Sequence, residues 1–158
     1  MKAKTEPAEE KAIEELLRIE RECFTAEAYS REHIRRLLKS PSAVALLARM
    51  DGDVAGFVIG LVERRRTAKI GHVVTIDVAA KYRQMGVGLM LLKEIENAFL
   101  KKSVEAVYLE VRADNQAARR LYRKQGYEEA IQLDDYYSAG VHGLRLVKDL
   151  KQKQYASS

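Results

Sequence analysis

Apolar positions along the chain recur with two spacings, one near 3.6 residues and one near 2, and the switch between them marks out the elements. Ile13, Leu16, Leu17, Glu20 and Phe24 fall at helical spacing, which predicts an amphipathic helix over roughly 9–24. Ser30 is placed to cap a second helix carrying Ile34, Leu37 and Leu38, and Pro41 ends it, because proline disfavours a helical residue before it. Residues 44–50 and 54–62 then read as strands joined at Asp51-Gly52, a strong hairpin turn. A third strand, rich in β-branched residues, is expected over 72–78. A long helix with Met90, Leu91, Ile95 and Phe99 on one side follows Gly86 and Gly88. Residues 106–112 form another strand, Asp114 or Asn115 caps a short helix that stops at Gly126, and 127–133 and 141–146 are the last strands.

This order predicts an α/β chain with a mixed sheet. The first three strands form an antiparallel meander, and the strand-helix-strand unit sets its two strands parallel. It is not a strictly alternating doubly wound pattern. At 158 residues and 47% apolar content the chain suits a single domain over 1–158, with polar, fraying tails at 1–8 and 151–158. One cysteine, Cys23, excludes an intrachain disulfide and a cysteine-rich metal site, and it suits a reducing cytosol. The start of the chain is charged and lacks the apolar core of a secretory signal. The longest uncharged apolar run, 54–62, is far short of the roughly 20 residues of a membrane span, so a cytoplasmic protein with no membrane partner is expected. The net charge of +5 and pI near 9.3 allow a nucleic acid, an acidic protein, a polyanionic small molecule, or simply a solvated basic surface. The densest basic run, 63–69, is expected as an exposed hairpin loop.

The segment 78–90, Val-Ala-Ala-Lys-Tyr-Arg-Gln-Met-Gly-Val-Gly-Leu-Met, joins a strand to a helix. Backbone N–H groups at a helix start have no partner within the helix, and the dipole there favours anions. Glycines leave room for a phosphate against the backbone, and Arg83 or Gln84 could add donors. Two glycines alone also fit an ordinary tight turn. The dinucleotide fingerprint lacks its third glycine here, and no Gly-Lys-Ser/Thr of a Walker loop is present.

Arg-x-x-Gly-x-Gly at 83–88 resembles the cofactor loop of the GNAT superfamily of acetyltransferases. The resemblance runs on through Tyr-Leu-Glu-Val-Arg-Ala-Asp-Asn at 108–115, Ala-Ala-Arg-Arg-Leu-Tyr at 117–122, Gly-Tyr at 126–127 and Tyr-Tyr-x-x-Gly at 136–140. It points to the branch that modifies protein N-termini, RimI-type enzymes and archaeal relatives of the NatA catalytic subunit, and Gly-His-Val-Val-Thr-Ile at 71–76 matches the archaeal members well. It covers roughly 12–150 and is strongest over 70–140.

The resemblance implies a mostly antiparallel mixed sheet, splayed around acetyl-CoA and flanked by helices. It implies transfer of the acetyl group to α-amines of protein or peptide N-termini, with no metal and no specific nucleic acid. It leaves ribosome association and oligomeric state open. It further implies that Ile76, Asp77 and Val78 meet the pantetheine arm with their backbone. Arg83, Gln84, Met85, Gly86, Val87, Gly88 and Leu89 would hold the pyrophosphate, and Asn115 and Tyr122 would lie beside the thiol. The acceptor groove would take Glu27, bearing on the first residue, Tyr29, Val74, and the hairpin pair Tyr136 and Tyr137. Two departures stand out. Thr25-Ala26 occupies the place where the family commonly has a proline before the groove acid, and residues 2–6 have almost no apolar side chains for the family's opening strand.

The amine must attack the thioester carbonyl as a free base. With pKa values of about 7.7–8.0 for an α-amine and about 10.4 for lysine, roughly a tenth of the former is neutral at pH 7 against under about a thousandth of the latter. An α-amine therefore needs only modest help. Glu110, set in an apolar strand, is the candidate base, with burial expected to raise its pKa and make it a better base; a structural carboxylate paired with an arginine is the alternative. His72, at the start of the third strand, is its candidate partner. Tyr122 is the candidate acid for the departing thiolate, against a plain core aromatic. Lysine or small-amine acetylation, and a basic ribosome- or nucleic-acid-binding module, are the competing readings.

Overall fold

In the computed structural model, residues 2–151 are described; residues 152–158 of the expected C-terminal tail lie outside them. The chain runs β1 (Lys4–Pro7), α1 (Ile13–Cys23), α2 (Arg31–Lys39), β2 (Ala43–Met50), β3 (Asp53–Arg65), β4 (Ala68–Val78), α3 (Val87–Lys101), β5 (Ala106–Arg112), α4 (Gln116–Lys124), β6 (Glu128–Ser138) and β7 (Val141–Asp149). The strands form one sheet in the order β1-β2-β3-β4-β5-β7-β6. Every neighbouring pair is antiparallel except β4 and β5. The mixed α/β architecture and the β2-β3-β4 meander are as the periodicity predicts.

Local signals explain most of the boundaries. The Ser30 hydroxyl accepts from the His33 N–H at the start of α2, and the Asn115 side chain accepts from the Ala118 N–H at the start of α4. Asp51 and Gly52 both have positive φ, as a two-residue hairpin turn requires. Gly126, at φ 97°, ends the α4 segment in the left-handed region.

Alternate residues of β3 point to opposite faces, and both sets are buried. Gly56 and Gly60 lie beneath Leu91, Ile95 and Phe99 of α3, and Gly71 of β4 lies beneath Phe99. Ala55, Phe57 and Ile59 point the other way and are fully buried beneath the layer that α1 supplies. The core therefore sits on both sides of the central strands.

Four expectations change. Residues 4–7 do not fray but pair with Leu46–Arg49 of β2 as an edge strand, held by backbone bonds and not by buried side chains. The third strand begins at Ala68, so His72 lies within it and not at its start. Most of the basic run 63–69 is strand, and only Arg66 and Thr67 turn. Tyr136 and Tyr137 belong to β6 itself, with the turn at Ala139–Gly140.

The parallel pairing of β4 with β5 covers only Ile70–His72 against Ala106–Tyr108. Beyond it β4 continues to Val78 along β3, and β5 continues to Arg112 along β7. The two strands part, and the gap between them opens towards their C-terminal ends.

Candidate functional site

A cleft of about 530 Å³ occupies this gap. Its sheet walls are Val73, Val74, Thr75, Ile76 and Val78 from β4 and Leu109, Glu110, Val111 and Arg112 from β5. Glu27 and Tyr29 from the α1–α2 connection, Tyr122 of α4 with its cap residue Asn115, and Tyr136 and Tyr137 from β6 also line it. Residues from these five separate segments thus converge on one cavity. Where β4 has lost β5 as a partner, its backbone groups on that side face the cleft and not another strand, a surface that suits an extended amide-bearing chain.

At one end lies the start of α3. Gly86 takes φ 82° at the N-cap, no side chain caps it, and the first helical bond runs from Met90 N–H to Gly86 C=O. The N–H groups of Val87, Gly88 and Leu89 have no acceptor within the helix. A Cβ at Gly86 would meet nothing within 4 Å, so the space before the helix is open. An anion placed there would find both donors and room. Gln84 also takes positive φ, at 63°. Of the expected pyrophosphate residues only Arg83 lines the cleft itself. Its Nε donates to the Val78 carbonyl at 3.2 Å, and its terminal nitrogen lies 3.5 Å from the Cys23 Sγ.

At the base of the gap, His72 Nε2 lies 2.7 Å from Glu110 Oε1, while Arg145 Nε donates to Glu110 Oε2 at 2.8 Å. Glu110 is only 9% exposed. Burial pushes its pKa up, but the hydrogen bonds from His72 and Arg145 outweigh burial and hold the carboxyl below its usual range. That corrects the expectation of a raised pKa. It also merges two alternatives, since Glu110 is both partnered by His72 and paired with an arginine. His72 lies outside the cleft lining, stacked on Tyr108 at 4.2 Å, with Nδ1 3.8 Å from Glu63 Oε2. The Tyr108 hydroxyl donates to that same oxygen at 2.8 Å.

Tyr122 is 7% exposed and still lines the cleft. Burial, and then the charge of Asp77, push its pKa far up, so it holds its proton as a neutral donor. Glu27 Oε1 accepts from Arg112 at 2.7 Å, and Arg112 also forks onto Asp114. The Glu27 carboxylate is thus paired with an arginine from β5. Tyr29 stacks on His33 at 4.5 Å, and Tyr136 and Tyr137 meet edge to face at 4.9 Å. The side chain of Asp77 is buried away from the cleft lining, leaving only its backbone for a cofactor.

Arg112, Arg145, Glu20 and Thr75 are the site residues that local sequence reasoning passes over. Glu110 and Arg145 are direct partners in the β5–β7 ladder, a register that only the fold reveals. Glu20 did carry a signal, a glutamate on the apolar stripe of the first helix.

The acetyltransferase (GNAT) family model matches residues 13–127. The N-alpha-acetyltransferase of Sulfurisphaera tokodaii is 37% identical over 65% of this chain and 67% of its own length. That of Sulfolobus acidocaldarius is 31% identical over 81% of each. Among solved structures, Ard1 from Thermoplasma volcanium superposes with a TM-score of 0.85 at 27% identity, over 94% of this chain and 98% of that one. The ribosomal-protein-S18-alanine N-acetyltransferase of Escherichia coli shares the fold, at TM-score 0.83 and 22% identity over 94% of each chain.

Proposed function

Since the chain belongs to the acetyltransferase (GNAT) family, we propose that it moves the acetyl group of acetyl-CoA onto the α-amino group of protein N-termini. The observation that carries this reading is the cleft between β4 and β5, with the uncapped N–H groups of α3 near one end, Glu110 and Tyr122 in its lining, and His72 bonded to Glu110 from outside the lining. The archaeal relatives named N-alpha-acetyltransferase support the choice of acceptor.

In this reading the N–H groups of Val87, Gly88 and Leu89 take the pyrophosphate, with Arg83, Gln84 and Met85 at the rim. The pantetheine arm runs along the backbone of Ile76, Asp77 and Val78, and Asn115 and Tyr122 flank its thiol end. The acceptor enters between Glu27 and Tyr29 on one side and Tyr136 and Tyr137 on the other, over Val74. The neutral amine forms its bond to the thioester carbonyl. Glu110 with His72 takes the amine's proton through water, and the C–S bond breaks as Tyr122 gives a proton, or a hydrogen bond, to the thiolate. The base is then a hydrogen-bonded pair and not a lone carboxyl of raised pKa. A strongly basic carboxylate is unnecessary for an α-amine, which is partly neutral near pH 7.

The test is a panel of N-terminal peptides with labelled acetyl-CoA, each offered with a free and with a blocked α-amine. Label on free peptides alone supports the reading. Label on lysine in blocked peptides overturns it in favour of side-chain acetylation.

A further inference from the structure

Glu20 of α1 and Asp77 of β4 are each only 1% exposed, and both reach the Thr75 hydroxyl. Thr75 Oγ1 lies 3.0 Å from Glu20 Oε1 and 2.8 Å from Asp77 Oδ1. A hydroxyl has one hydrogen, so it donates to one carboxyl only. The other contact needs a proton on the carboxyl side, or two oxygens with no hydrogen between them would face each other in the interior. Glu20 has the better claim to the negative charge. Its Oε2 also accepts the backbone N–H of Tyr29 at 3.1 Å, whereas Asp77 Oδ2 has no hydrogen-bond partner among the described residues. The chain of donors therefore runs from an Asp77 O–H to Thr75, from Thr75 to Glu20, and from Tyr29 N–H to Glu20.

We propose that Glu20 is a positioning residue: its carboxylate, kept charged because Asp77 holds the neighbouring proton, ties the Tyr29 backbone to β4 and so fixes one wall of the acceptor groove. This rests on the reading of Tyr29 as an acceptor wall. The neighbouring groups fit a single charge here. Asp77 is pushed up to about 9, by burial first and then by Glu20, with Thr75 and Arg83 working the other way. Cys23, Tyr29 and Tyr122 are all raised in part by the Asp77 charge, so ionising it would put a second negative charge among groups that hold their protons.

Two measurements test it. In steady-state kinetics, Glu20→Ala should raise the acceptor KM about tenfold, the worth of a hydrogen bond to a charged group, with the acetyl-CoA KM within about twofold. Glu20→Gln should restore most of the loss, because its amide oxygen still accepts from Tyr29 while its NH2 donates to Thr75. Equal rises in both KM values, or no rescue by glutamine, overturn the proposal. The measurement uses whichever amine the peptide panel shows to be acetylated, so a wrong acceptor class leaves it intact. Carboxyl-carbon NMR of the folded protein needs no turnover. Asp77 should be protonated at pH 7.5 in the parent; an ionised Asp77 there overturns the proposal even if Glu20→Ala does not fold.

Discussion

His72 Nε2 and Glu110 Oε1 lie 2.7 Å apart at the point where β4 and β5 separate. His72 is the last β4 residue in parallel register, opposite Tyr108, and Glu110 is two residues further along β5. Of the pair, Glu110 lines the cleft and His72 lies just outside the lining, at the end where the two strands still pair. The pair's placement follows from the sheet: the same divergence that opens the gap brings a polar pair to its base.

Glu110→Gln should lower turnover by about a hundredfold, in the range of a lost general base, while leaving acetyl-CoA affinity nearly unchanged. Loss of both in parallel would show a structural carboxylate. Because His72 and Arg145 hold the Glu110 pKa below its usual range, the group stays ionised until the pH falls below the ordinary carboxylate range. A pH–rate profile should accordingly show no acid limb from Glu110 above that point, and its ion-pair contribution to stability is lost only on going lower. An acid limb near pH 6 that disappears in Glu110→Gln would contradict this assignment.

Gly86→Glu should weaken acetyl-CoA binding by more than about tenfold, measured by calorimetry. The new side chain enters open space before α3, so the fold has room for it, but it brings negative charge to the unpaired N–H groups that an anion would use. Gly86→Ala isolates the backbone cost, roughly 1 kcal/mol for a non-glycine residue at φ 82°. Equal binding by the parent and Gly86→Glu would remove the pyrophosphate from this loop.

The sequence makes the elements legible where a local rule decides them and leaves them hidden where a partner decides. Ser30, Asn115 and the Asp51-Gly52 turn act on their own neighbours, so their caps and turn are readable in advance. Lys4–Pro7 has almost no apolar pattern and becomes a strand only because β2 offers it backbone partners. The β-branched run around Val73–Ile76 looks the same whether or not β5 lies beside it, so the splay is invisible in one dimension. Glu110 shows the limit for chemistry. Its unusual place in an apolar strand is visible, but the sign of its pKa shift depends on Arg145, 35 residues away and opposite it in the ladder.

Gly143→Val should raise the acceptor KM with little effect on acetyl-CoA. A Cβ at Gly143 would sit 3.2 Å from atoms of both Tyr136 and Tyr137, tighter than ordinary contact, so the tyrosine pair must shift. Gly60→Ala is the contrasting case, since its Cβ would lie 2.6 Å from Phe99 and 2.7 Å from Ile95. Overpacking there should cost about 1–3 kcal/mol in urea unfolding without selective damage to the acceptor. A uniform loss of both substrates in Gly143→Val would place the tyrosines outside the groove.

Asp77 gives the folded chain a distinctive pH dependence. An aspartate in the unfolded chain ionises near pH 3.9, whereas burial and Glu20 hold the folded group up to about 9. Between those values the folded state keeps a proton that the unfolded state has released, so this group's contribution to stability falls as pH rises. The limiting slope is about 1.4 kcal/mol per pH unit, and the fall ends once the folded group also ionises. Asp77→Asn removes the titration while keeping a donor for Thr75. Urea unfolding of both proteins at pH 5.5, 7 and 8.5 cancels the other titrating groups in the difference. The variant should gain on the parent at each step upward, and parallel stability curves would mean that Asp77 ionises in the folded chain as readily as in the unfolded one.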